Sequence, residues 1–107
     1  TGVSHDLALT CLALWVSDLE DDGAASYPAD KAKEIVYFSR LIAQKATAEE
    51  TANFDTLFAE KLDFYRATQA AMDNPATREE ADMELTGSGK MCWFQVLVAE
   101  GGPYEGQ

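Results

Sequence analysis

Three places in this 107-residue chain carry residue types that do chemistry. The first is Asp18-Leu19-Glu20-Asp21-Asp22-Gly23. Carboxylates at alternate positions followed by glycine are how a calcium-binding loop begins, because a hard cation needs several oxygens and glycine permits the sharp turn between them. The pattern then stops. Ala29 stands where the loop needs a bidentate Glu, Ala25 where it needs an aliphatic residue, and Asp30 comes one residue late behind a stiffening Pro28. The segment reads as a solvated, acidic helix end, and no metal ligand is assigned. The second place, Leu85-Thr86-Gly87-Ser88-Gly89-Lys90, has the look of the end of a phosphate-binding loop. Glu84 replaces the first glycine, Met91 replaces the hydroxyl that would hold magnesium, and the acids upstream repel phosphate. It reads as an interhelix loop.

The third place is the set of His5, Cys11 and Cys92. His5 and Cys11 do not make a nucleophile and base, because six residues along a helix set their side chains roughly 120° apart. One His and two Cys fall short of a zinc ligand set. His5, the sole histidine, reads as an exposed residue near a helix start. The cysteines lie in the two most apolar segments and are expected as buried free thiols in a reducing compartment, with a single disulfide joining the two segments as the alternative. The pairs Glu49/Glu50 and Glu79/Glu80 open helices, where capping and the helix dipole account for them. No constellation calls for a catalytic reading or a cofactor, so the chain is expected not to be an enzyme.

The charge is distributed unevenly. Net charge is −11, yet residues 1–30 hold six acids and neither Lys nor Arg, residues 31–72 hold six acids and six bases, and residues 73–107 hold seven acids and two bases. The excess therefore sits at the two ends of the chain. Such a balance speaks against direct nucleic-acid contact and against anionic membrane surfaces, both of which need Lys and Arg. The longest apolar run, Leu7 to Val16, is half of the ~20 residues a membrane span requires. It also lacks the basic flank of a signal peptide. The chain opens on Thr1, which leaves room for an initiator or a longer leader ahead of it.

The elements that must position these residues are helices, in one domain spanning 1–107. Ser4 caps a first helix to Asp22, apolar almost all round and hence central. Gly23 ends it. Pro28 begins a second helix to about Ala46, with Ile35, Phe38, Leu41 and Ile42 inward. Thr47-Ala48-Glu49-Glu50 is a capping box that opens a third helix to about Met72, and Asn74-Pro75 stops it. Thr77-Arg78-Glu79-Glu80 is a second capping box, predicting a short helix that ends near Leu85, with Gly87-Ser88-Gly89 as a break. The segment 90–100 suits either helix or strand. Helix is favoured, capped by Ser88 and stopped by Gly101, because one strand alone has no partner for its backbone. Residues 103–107 read as a tail. Trp15, Phe38, Phe54, Phe58, Tyr65, Trp93 and Phe94 are expected in the core, while Tyr37 and Phe64 fall off the main stripes. Short connections between long helices predict an all-α, compact antiparallel bundle of four to five helices.

From this follows a functional expectation: a non-enzymatic acidic protein-binding module in the cytoplasm. Its composition is similar to that of small helical inhibitors, some of them phage-encoded, and adaptors that occupy the basic, nucleic-acid-binding surface of a partner protein. Asp18, Glu20, Asp21, Asp22, Glu79, Glu80, Asp82 and Glu84 are the candidate partner-binding residues. The alternative is a small secretion-chaperone or antitoxin-like homodimer that binds through apolar surface, with the acid serving solubility.

Overall fold

Ser4 opens the first helix. Its Oγ accepts the Leu7 N–H at 3.0 Å, pairing one of the amides that a helix start leaves without a partner. Helix α1, His5–Asp22, closes when the Gly23 N–H reaches the Leu19 carbonyl at 2.9 Å. Gly23 adopts φ +83°, a conformation in which a side chain would be strained. The computed structural model describes residues 3–99 and 101–104, with the backbone alone at Tyr104. Beyond α1 it contains a 3-10 turn at Ala24–Ser26, then α2 (Ala29–Lys45), α3 (Ala48–Ala52), α4 (Phe54–Ala71) and α5 (Arg78–Cys92). A π-helical continuation follows at Trp93–Val98, and a 3-10 turn at Gly102–Tyr104. Residues 90–98 are helical as expected, the described residues contain no strand, and the chain is an all-α bundle.

Helix α1 is the centre. Every residue from Ala8 to Trp15 except Thr10 is buried. Helix α2 folds back against it. The Trp15 indole donates to Glu34 Oε1 at 2.8 Å, the Tyr27 hydroxyl donates to the Trp15 carbonyl at 2.9 Å, and Phe38 meets the indole edge-on at 5.0 Å. Helix α4 runs in the same sense as α1: Lys61 pairs with Asp6 near the start of α1, and Arg66 with Glu20 near its end. Helix α5 returns beside α4, with the Thr77 hydroxyl donating to the Ala71 carbonyl and the Tyr65 hydroxyl donating to Ser88 Oγ. The order is up, down, up, down. Leu62, Tyr65, Cys92, Val96 and Leu97 complete the core around α1.

Cys11 and Cys92 are joined in a disulfide, which overturns the expectation of free thiols. Their Cα atoms lie 5.7 Å apart, within the usual span for such a bridge, and both residues are fully buried. The sequence places each cysteine in an apolar segment. That the two cysteines meet is a property of the packed bundle alone.

Other boundaries move for identifiable reasons. Asn53, at φ −102° and ψ 12°, separates α3 from α4, where one continuous helix was expected. The box at Thr47 forms as read, with Glu50 Oε1 accepting the Thr47 N–H. The box at Thr77 does not form. Its hydroxyl turns back to the Ala71 carbonyl, and Arg78 Nε donates to the Met72 carbonyl, so both side chains close α4. Pro28 is the residue ahead of α2, in extended conformation, rather than its first helical residue.

Helix α5 passes straight through Gly87-Ser88-Gly89, where a break was expected. Each glycine costs about 1 kcal/mol in a helix interior. The burial of Cys92, Val96 and Leu97 outweighs that cost, and the Tyr65–Ser88 bond holds the segment to α4. Because Cys92 must face α1, Trp93 and Phe94 point outward and are exposed, which corrects their placement in the core. Gly101 stops the helical segment as read, at φ +83°. Residues 103 and 104 are not a loose tail, since the turn they share with Gly102 packs on α2; residues 105–107 lie outside the described residues.

Two outcomes follow for stability. A methyl group added at Gly87 or Gly89 meets no atom within 4 Å. Gly87→Ala and Gly89→Ala should each therefore stabilise by about 0.5–1 kcal/mol in urea unfolding. The disulfide closes a loop with a sequence separation of 81 residues. The double variant Cys11→Ala, Cys92→Ala should lose about 2–4 kcal/mol by the same measurement.

Candidate functional site

The up-down order brings the C-terminal end of α1 and the N-terminal end of α5 to the same end of the bundle. Gln69 and Arg66 in the second half of α4 hold the end of α1, and α5 begins after the short connector 72–77 that follows α4. The two acidic segments that are far apart in sequence thus lie at the same end of the fold.

Their eight carboxylates are not equivalent. Asp18 is half-buried, accepts from Gln69 Nε2 and lies 3.9 Å from Lys31 Nζ. Burial raises its pKa above the ordinary carboxylate range, with Asp22 and Asp21 adding to the rise and the Gln69 bond and Lys31 opposing it. Glu20 takes two hydrogen bonds from Arg66, at 2.8 and 2.6 Å, and these hold its pKa low. Both residues tie α1 to its neighbours. Glu84 Oε1 accepts from the Ser88 hydroxyl at 3.4 Å, at the end of a run that begins at the Tyr65 hydroxyl. Asp21, Asp22, Glu79, Glu80 and Asp82 are exposed, and among the described residues their carboxylates enter no ion pair or hydrogen bond. Glu79 and Glu80 sit favourably in the first turn of α5. Asp21 and Asp22 sit at the end of α1, where the helix dipole opposes them and the last turn holds no basic residue.

The geometry does not build a cation site. Asp18, Glu20 and Asp22 all lie on α1, where residues two apart point roughly 200° from each other and cannot converge on one ion. Among the described residues, no three His, Cys, Asp or Glu side chains cluster in a way that could hold a metal.

Beside the acidic end runs an open groove of about 610 Å³ between α4 and α5. Phe64, Ala67, Ala71, Ala81 and Met83 give it an apolar lining, and Glu80 and Glu84 stand along it. Phe64 is exposed, as its place off the main stripe implied, and Tyr37 is half-buried. Met83, Trp93, Phe94 and Val98 extend the exposed apolar surface along α5 and its continuation. Among the described residues, no helix is long and apolar enough to cross a membrane.

One polar group escaped the sequence altogether. His5, expected at the surface, is buried with 6% of its area exposed, and its Nδ1 lies 3.3 Å from Glu50 Oε2. The capping box of α3 carries Glu50 to the start of α1, a juxtaposition that no local pattern reveals. Glu34, buried against the Trp15 indole, was likewise not visible as an interior acid.

The raised pKa of Asp18 sets a pH dependence. A carboxyl whose folded pKa lies above its unfolded value favours folding while protonated and loses that contribution as pH rises through the folded pKa. Asp18→Asn, which keeps an oxygen for Gln69, should therefore be more stable than the parent at pH 7. The difference should shrink as pH falls below the ordinary aspartate range, and urea unfolding across pH 3–7 reads both. As for relatives, no family model matches this chain, and neither a curated protein nor a solved structure matches it.

Proposed function

We propose that the chain is a non-enzymatic protein-binding module that engages a basic surface of a partner, as an inhibitor or adaptor of a nucleic-acid-binding protein. The observation that carries this reading is the five exposed carboxylates of Asp21, Asp22, Glu79, Glu80 and Asp82 at one end of the bundle, uncompensated by internal partners. Asp21 and Asp22 supply a second support. Each acid near a helix C-terminus costs about 0.3–1 kcal/mol, a cost that a partner's lysines and arginines would offset. Asp18, Glu20 and Glu84 take a supporting role in this reading, because each is bonded within the fold. A pI near 4.2 keeps the module off nucleic acid itself and off anionic membranes.

The disulfide revises the compartment. The cytoplasmic expectation rested on free thiols, and a buried Cys11–Cys92 bridge instead favours an oxidising compartment, in which such bridges persist. A second reading, a homodimer or chaperone-like binder, draws on the exposed Phe64, Met83, Trp93, Phe94 and Val98. In that case the acid serves solubility, and the groove between α4 and α5 does the binding.

The two readings separate by salt and by charge reversal. With a partner captured from the native host, affinity should fall as salt rises. The quadruple variant Asp21→Lys, Asp22→Lys, Glu80→Lys, Asp82→Lys should bind about tenfold or more weakly while unfolding at the parent's urea midpoint or above. Unchanged affinity in that variant at low and at physiological salt removes the acidic end as the site and leaves the apolar groove.

A further inference from the structure

Two kinds of side chain line the groove between α4 and α5. Phe64 and Met83 are large, apolar and exposed over 51% and 68% of their area. Ala67, Ala71 and Ala81 fill little space and keep the groove open. The charged lining is Glu80 and Glu84, and no Lys or Arg joins it. These two acids stand four residues apart, on one side of α5. Glu80 is exposed, and among the described residues its carboxylate enters no ion pair or hydrogen bond. Glu84 Oε1 accepts from the Ser88 hydroxyl at 3.4 Å, a long contact. Glu60, one turn before Phe64 on α4, is also exposed and extends the acid along the same stripe.

We propose that this groove docks a basic amphipathic helix of a partner protein, its apolar side chains between Phe64 and Met83 and its Lys or Arg on Glu80 and Glu84. The inference rests on the reading of the chain as a protein-binding module and names the kind of segment it takes. Charge complementarity selects the occupant. A second copy of the chain, packed groove to groove, would bring its own Glu80 and Glu84 against the same pair. An acidic or purely apolar segment would leave both carboxylates without a counter-charge. Backbone chemistry selects the helix. The walls are helices whose amides and carbonyls are bonded within α4 and α5, so an added strand would find no ladder. A helix satisfies its own backbone. Phe64 to Ala71 spans about 10 Å, two turns, which suits anchors at positions i, i+3 or i+4, and i+7.

The test uses the full chain at physiological salt, where distant charges are screened. The probe is a peptide of about 18 leucines and lysines, with leucines three and four residues apart so that they share one helical face. One control scrambles the same residues, and a second replaces lysine by glutamate. The ordered Leu/Lys peptide should bind saturably and shift the amide resonances of Phe64, Ala67, Ala71 and Met83, while both controls bind at least tenfold more weakly. Ala67→Arg, which puts bulk and a like charge into the groove, should weaken the peptide at least tenfold. Ala32→Arg, the same charge change at an exposed site on α2, should bind as the parent does. Should Ala67→Arg fail to fold, Phe64→Ser with Met83→Ser carries the same decision. Glu80→Gln with Glu84→Gln should weaken the peptide about fivefold and flatten its salt dependence. Asp21→Asn with Asp22→Asn should leave it within about twofold. The proposal is overturned if the ordered peptide does not saturate, if either control binds equally, or if the groove variants bind as the parent does. Weakening by the Asp21 and Asp22 changes with none from Ala67→Arg would place the peptide on the acidic end, sinking the groove while the acidic-surface reading stands. That reading fails separately, on the captured host partner and its response to charge reversal.

Discussion

Helix α1 cannot be left with a side to water. From Ala8 to Trp15 its residues are buried in every direction save at Thr10, and exposing any flank would return several whole apolar side chains to solvent. Each such side chain contributes about 1.5–3 kcal/mol when fully buried. Three helices must therefore surround α1, and α2, α4 and α5 do so. The polar bonds across these contacts then set their register. Trp15 on Glu34 aligns α2, Gln69 on Asp18 and Arg66 on Glu20 align α4, and Cys11 to Cys92 locks α5. The indole–carboxylate bond matters beyond alignment, because a buried Glu34 without a donor would be expensive.

This central requirement also divides the surface. Since α1 gives up its flanks, exposed surface is left to its two ends and to the outer helices. At one end lie the acids at the end of α1 and at the start of α5. At the other end His5 and Glu50 are drawn inward beside an apolar cavity. The two ends offer opposite chemistry: exposed carboxylates at one, a buried histidine facing Glu50 among alkyl and aromatic groups at the other.

The outer face of α5 follows from the same packing. The disulfide turns Cys92 inward, so in an eight-residue run of mostly apolar side chains, Met91 to Val98, some must face out. Val96 and Leu97 are buried, while Trp93, Phe94 and Val98 are exposed. The π-helical turn in this stretch adjusts which residues face the core. The apolar surface on α5 is thus a consequence of satisfying α1 as well as a candidate contact.

Much of this was legible in the residues themselves. Helical class, the Ser4 and Thr47 caps, the Gly23 and Gly101 stops and the central place of α1 rest on local chemistry and on the 3.6-residue period, which act within a few turns of chain. The grouping of excess acid at the two ends of the chain was legible as well. What lay beyond the sequence has one physical cause. Burial of His5 and Glu34, pairing of Cys11 with Cys92, and the ties of Asp18 to Gln69 and of Glu20 to Arg66 all depend on residues at least 19 positions away in the chain. Helix continuity through Gly87 and Gly89 depends likewise on tertiary burial that exceeds the glycines' local preference. Local pattern determined the helical class of most of the chain and the apolar surroundings of each cysteine. Only the packing of α2, α4 and α5 around α1 decided which acids are bonded within the fold, which stay exposed and that His5 is buried, because register between helices is set by the contacts that close the core.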